Sequence, residues 1–193
     1  MPQKMPSRLI KLLRVVIDTN VLVYITVADL LLGLAKRAGL FNPLWSKLIL
    51  AETKCTLIHK LGWQPAEVES RLEAMCRVFP SATVSGFEQW IPRCTNDEKD
   101  RHILAAAIEA KASLILTYNE KHFGVEHLAQ WNIQQMHPQD FLLLLYERAP
   151  QAVWQQLRVM AKRRGMSLEA LLLRLNRDAK EFAQRLLLEL VLP

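Results

Sequence analysis

Two short apolar runs, a hundred residues apart, constrain the fold more than any other feature of the chain. Val15, Val16 and Ile17 are β-branched and end abruptly in Asp18, Thr19 and Asn20. Leu114, Ile115 and Leu116 end in the same way in Thr117, Tyr118 and Asn119. A continuous apolar run of this length is a strand buried on both faces, and strands of that kind belong to parallel sheets covered by helices. The stretches between the runs repeat apolar residues at helical spacing, which predicts an α/β fold with a central parallel sheet.

Helix punctuation divides the rest. Leu30, Leu31, Leu34 and Ala35 lie on one helical stripe in 29–37, and Gly39 stops it. Ser46 is placed to cap a helix running to about residue 60, with Gly62 as the stop. Pro65 opens a helix to about residue 77. A strand is expected at 82–84, a helix capped by Asn96 over 97–111, a weaker strand at 133–136 and a short helix at 141–148. After Pro150 the pattern is helix only, in two amphipathic stretches over 152–164 and 167–190. The expected division is a basic segment at 1–13, an α/β domain at 14–149 and a helical extension at 150–193.

The formal net charge of +6 is unevenly spread. Residues 1–14 carry four basic residues and no acid, and residues 151–193 carry eight basic and four acidic, so the middle is mildly acidic. Basic flanks around an acidic centre suit a polyanion held near metal ions. Charge alone does not separate this from solvated helix faces. Three scattered cysteines form no C-x-x-C pair, against a zinc site or disulfide framework. Asp18 and Asn20 break the apolar run that follows the basic N-terminus, against a signal peptide, and a soluble cytoplasmic protein is expected.

Sites in open α/β sheets form where parallel strands end, and a carboxylate there is costly without a cation. Asp18 and Asn119 occupy two such ends. Glu52 lies in a helix among apolar neighbours. Asp97 and Asp100 lie one turn apart at a helix start, where acids also serve the helix dipole. Oxygen donors without a Cys/His cluster suit Mg²⁺ or Mn²⁺. Arg101 follows one acid and can reach either a phosphate or Asp97 and Glu98. Arg158, Lys162, Arg163 and Arg164 on the tail can extend a basic track for RNA or bind an acidic partner. A dehalogenase-type phosphatase needs a second Asp two residues after the first, where this chain has Asn20.

The stretch Val15-Val-Ile-Asp-Thr-Asn-Val-Leu-Val resembles the first motif of PIN domains. Asp97-Glu-Lys-Asp-Arg-His-Ile-Leu-Ala-Ala-Ala-Ile resembles the motif of the third acid, and Leu116-Thr-Tyr-Asn-Glu-Lys-His-Phe the closing strand motif. Leu30-Leu-Leu-Gly-Leu-Ala and Gly39-Leu-Phe-Asn-Pro-Leu-Trp-Ser resemble a subfamily among VapC-type toxins. The resemblance spans about residues 14–145. It implies a three-layer α/β/α fold and a Mg²⁺-dependent endoribonuclease, with a VapB-like antitoxin as partner and a homodimer as a further possibility. It implies metal-binding acids at Asp18, Glu52 and Asp100, a fourth catalytic position at Asn119, and supporting roles for Thr19, Asn20, Asp97 and Thr117. The chain departs from the pattern where His122 replaces an acid, and Asn119 is neutral. A PIN fold that binds RNA or protein without cutting is the alternative.

Overall fold

The computed structural model describes residues 13–191, so the basic segment expected at 1–13 lies almost wholly outside the described residues. A four-residue strand, β1 (Arg14–Ile17), is followed by a single helical turn, α1 (Thr19–Leu22), and by α2 (Ile25–Ala38). Then come β2 (Asn42–Ser46), α3 (Lys47–Cys55), α4 (Pro65–Val78) and β3 (Thr83–Val84). The second half holds α5 (Arg101–Glu109), β4 (Leu114–Leu116), α6 (Val125–Leu128) and β5 (Gln134–Met136). It closes with α7 (Pro138–Arg148), α8 (Pro150–Arg163), α9 (Leu168–Leu175) and α10 (Lys180–Val191).

All five strands are parallel, in the order β3-β2-β1-β4-β5, and helices cover the sheet in a three-layer α/β/α arrangement. The chain builds outward from β1 in one direction, to β2 and β3, and then in the other, to β4 and β5. The order therefore reverses between β1 and β4, whose carboxyl ends form the crevice where ligands bind in such sheets. Val15, Val16, Ile17, Leu114, Ile115 and Leu116 are buried, as expected of strands covered on both faces.

Several boundaries differ from the sequence expectation. Strand β2 was hidden by Pro43, which cannot donate to a ladder. Its neighbour β3 pairs only with Trp45 and Ser46, so Pro43 lies beyond that ladder and leaves no bond unmade. Ser46 does cap α3, accepting from the Ile49 amide at 3.1 Å, but the last turn of that helix widens into a π-helix over Thr56–Lys60. Asn96 does not cap the helix expected at 97–111. Asp97 instead caps a tighter 3₁₀ turn, Glu98–Asp100, accepting from the Lys99 amide at 3.1 Å, and α5 follows with no side-chain cap of its own. The stretch expected as one helix over 167–190 is broken between α9 and α10. Tyr118 donates its hydroxyl to the carbonyl of Asp178 at that break, 2.9 Å away. No described helix is long and apolar enough to cross a membrane.

The tail helices share the core of the sheet. Val153, Leu157, Leu171, Leu175, Phe182 and Leu186 are buried in one apolar cluster with the strands and α2. Helix α8 lies against α2 where Gly33 removes a side chain. A methyl group at Gly33 would stand 1.9 Å from Gln156 Nε2. Alanine favours a helix over glycine by roughly 0.5–1 kcal/mol. Here the clash should reverse that preference, making Gly33→Ala destabilising by about 1–2 kcal/mol, in the range of overpacking. Adding Gln156→Ala should recover at least about 1 kcal/mol of the loss in a denaturant-melt double-mutant cycle. Additive effects would contradict the close α2–α8 contact.

Candidate active site

Asp18 follows β1 and is only 3% exposed. Its amide donates to the Leu116 carbonyl at 3.0 Å, which ties the ends of β1 and β4 together. The Asp18 carboxylate is held by side chains from both strand ends. Thr117 donates its hydroxyl to Oδ2 at 2.7 Å, and the Asn20 amide donates to the same oxygen. Asn20 Nδ2 also reaches Thr117 Oγ1 at 3.0 Å, while its Oδ1 accepts from the Tyr118 backbone at 3.0 Å. The motif residues Asp18, Asn20 and Thr117 thus form one network although 99 positions separate its ends.

Glu52, one and a half turns into α3, is half-buried and held at both oxygens. Thr19 donates its hydroxyl to Oε2 at 2.9 Å. His102 Nε2 stands 3.1 Å from Oε1, though not aligned as a hydrogen bond. His102 is itself buried, on the apolar face of α5. Burial pushes the Glu52 carboxyl up, but His102 and Thr19 together outweigh it and hold the group below its ordinary value. Glu52 is therefore ionised at neutral pH.

Asp100 ends the 3₁₀ turn, and its Oδ2 lies 2.7 Å from His122 Nδ1. Asp97, Asp100 and His122 each offer a ligand atom, and these atoms lie within 4.8 Å of one another. His122 thus stands on Asp100 in the position where the sequence comparison expected an acid. Asn119 is exposed, and its engagement is through the backbone, whose amide donates to Thr117 Oγ1 at 2.9 Å. Arg101 pairs with neither Asp97 nor Glu98; its Nε donates to the Asn96 carbonyl at 3.3 Å. Arg158, Lys162 and Arg163 are exposed, whereas Arg164 is taken by Asp29 at 2.7 Å and Thr26 at 3.1 Å. His102 was missed in the sequence because a histidine on an apolar helical stripe looks like any core residue. Its spacing two positions beyond Asp100 was the one available signal.

Burial drives the Asp18 carboxyl from its ordinary 3.8 up to about 6. The charges of Asp100 and Glu52 add to the rise, and the bond from Thr117 opposes it. A buried carboxylate raised by two others, with His102 beside Glu52 and His122 beside Asp100, is the donor chemistry of a hard or borderline divalent cation. The residues present fit a divalent cation.

The shift carries a stability consequence with a definite sign. The unfolded chain loses the Asp18 proton near pH 3.8 and the folded chain near pH 6, so stability falls as pH rises between those values and stays low above them. At about 1.36 kcal/mol per unit the penalty above pH 6 is on the order of 3 kcal/mol. Asp18→Asn removes the charge with little change of shape. In EDTA at pH 7.5 it should melt higher than the wild type, by roughly 1–3 kcal/mol of stability, and the gain should vanish toward pH 4. A variant less stable than wild type at pH 7.5 without metal would show that the carboxylate is not strained.

Comparison with known proteins agrees with this geometry. A family model described as PIN domain matches residues 14–121, more than half of the chain. Over 76 residues the chain is 43% identical to "Putative ribonuclease VapC50" of Mycobacterium tuberculosis, covering 38% of this chain and 45% of that protein. The chain therefore spans less than half the length of this curated relative. No solved structure gives a significant match. The parallel sheet, the Asp18 network at its switch point and the matched family model together establish that the chain belongs to the PIN domain family.

Proposed function

We propose that this protein is a Mg²⁺- or Mn²⁺-dependent endoribonuclease that hydrolyses RNA phosphodiester bonds, and that it is the toxin of a VapBC-type toxin–antitoxin pair. The observation that carries the reading is the buried Asp18 carboxylate, raised by its own surroundings and by Asp100 and Glu52. Above about pH 6, where no proton neutralises it, a bound cation relieves a charge in that state. The name of the M. tuberculosis relative supports RNA as substrate.

In this reading Asp18 and Asp100 hold the metal, with Glu52 facing it and Asp97 and His122 beside Asp100. When bound, the cation supplies an activated water, a clamp on the phosphate and charge neutralisation at the leaving oxygen. The chain's own residues set the geometry. Thr117 and Asn20 fix the Asp18 carboxylate so that it cannot swing away from its neighbours. Thr19 holds one Glu52 oxygen, and His102 attracts the other. Glu52, ionised at neutral pH, accepts a hydrogen bond from the attacking water and orients it. Asn119 at the exposed mouth contacts the substrate, and Arg101, Arg158, Lys162 and Arg163 supply cationic contacts to the RNA backbone, with Arg164 behind them.

A cytoplasmic protein whose activity is held by a VapB-like antitoxin completes the reading. The antitoxin's simplest inhibitory device is an Arg or Lys among the carboxylates, which replaces the cation's charge and blocks the phosphate. A homodimer formed through the apolar residues exposed on the tail, such as Leu173 and Leu188, is compatible with it.

Purified protein should cut single-stranded RNA with Mg²⁺ or Mn²⁺ and not in EDTA. Asp18→Asn and Asp100→Asn should each lower the cleavage rate by at least about 10²-fold, the scale expected for loss of a charged group acting in the transition state. Wild-type rates in both variants would end the assignment. RNA binding without metal-dependent cleavage would instead favour a non-catalytic PIN fold, a reading to which the neutral, exposed Asn119 lends weight.

A further inference from the structure

Among the described residues, Tyr24 is the one aromatic side chain that is exposed, at 41%. It also occupies the N-cap of α2, where Ser, Thr, Asp or Asn would satisfy a free backbone amide, and its side chain makes no capping bond. The position gives up burial and a helix cap together, so packing alone does not account for a tyrosine there. The ring is nevertheless held. Its centroid lies 4.7 Å from that of Tyr118, with the planes at 53°. Tyr118 is fixed in turn, its hydroxyl on the Asp178 carbonyl at 2.9 Å and its ring edge-on to His137 at 4.8 Å. The Tyr118 backbone amide donates to Asn20 Oδ1 at 3.0 Å, and the side-chain amide of the same Asn20 donates to the Asp18 carboxylate. Tyr24 is thus tied through two residues to the acidic end of β1, and the residue after Tyr118, Asn119, is exposed.

We propose that Tyr24 is a binding residue of the substrate path, whose exposed ring stacks with a nucleobase of single-stranded RNA next to the phosphate held at the carboxylates. Stacking on an aromatic face is how proteins grip single strands without reading their sequence. A ring fixed before the strand arrives loses little conformational freedom on binding, and the Tyr118 contact supplies that fixing. Stacking also complements an acidic site. A base carries no charge, so Tyr24 adds affinity where Asp18, Glu52 and Asp100 oppose the phosphates. A protein partner would need an apolar patch, whereas the neighbours Val23, Ile25 and Thr26 are half-buried and leave a single ring, which suits one base. The proposal rests on RNA as the substrate and is independent of whether that RNA is cut.

The test is fluorescence anisotropy with a labelled single-stranded RNA of mixed sequence and the full chain, in EDTA so that metal-dependent cleavage does not interfere. Tyr24→Ala and Tyr24→Leu should each weaken binding at least about fivefold, while Tyr24→Phe binds as the wild type does. The slope of log affinity against log salt should be the same in all of them, since no ionic contact is lost. On an abasic oligomer of equal length, wild type and Tyr24→Ala should bind alike. Circular dichroism verifies the fold of each variant. Four results would overturn the proposal: no RNA binding by the wild type, Tyr24→Leu binding as well as Tyr24→Phe, an equal loss on the abasic oligomer, or a salt slope flattened by Tyr24→Ala. Binding that needs the Tyr24 ring, in a protein that shows no metal-dependent cleavage, would uphold the stack and end the nuclease reading. Metal-dependent cleavage in a protein whose RNA binding is indifferent to Tyr24 would do the reverse.

Discussion

The architecture of this protein turns on one carboxylate kept out of water. Asp18 sits where two parallel strands end side by side, buried and facing two other acids. Such a group destabilises the fold that contains it unless a cation arrives. The hydrogen bonds around it do not remove the repulsion. They fix the direction of the oxygens, so that the cost of assembling the site is met by folding and not at the moment of ligand binding.

Everything near the site serves that placement. The reversal of strand order between β1 and β4 opens the crevice, and the Asp18 amide bonded to Leu116 sets how far the two strand ends can part. Helix α3 brings Glu52 in from one side, held by Thr19 of the first motif. The 3₁₀ turn Glu98–Asp100 and helix α5 bring Asp100 and His102 from the other, with the alanine-rich stretch of α5 buried. The tail closes the arrangement from behind, because Tyr118, next to Thr117, anchors the break between α9 and α10.

Much of this was legible in the sequence, and what was not has identifiable causes. The strands around β1 and β4 announce themselves because both faces are buried, and their polar ends mark the site. Asp18 and Asn20 could be read together because two positions separate them. Thr117 could be ranked only as a supporting position, since its bond to Asp18 exists only once β1 and β4 pair. The approach of His122 to Asp100 likewise arises from the turn after β4 and has no local signature. Strand β2 escaped because Pro43 reads as a breaker unless the shortness of β3 is known. The tail looked like one long helix because its apolar period survives a break that a tertiary contact, Tyr118 to Asp178, holds in place.

The central claim is that these carboxylates form a divalent cation site, and crystals soaked in Mn²⁺ test it most directly through anomalous scattering. The account predicts an anomalous peak at the carboxyl ends of β1 and β4, with oxygens of Asp18 and Asp100 at about 2.0–2.6 Å from it. Crystals that take up Mn²⁺ only at other surfaces, leaving Asp18 and Asp100 without a bound ion, would contradict it.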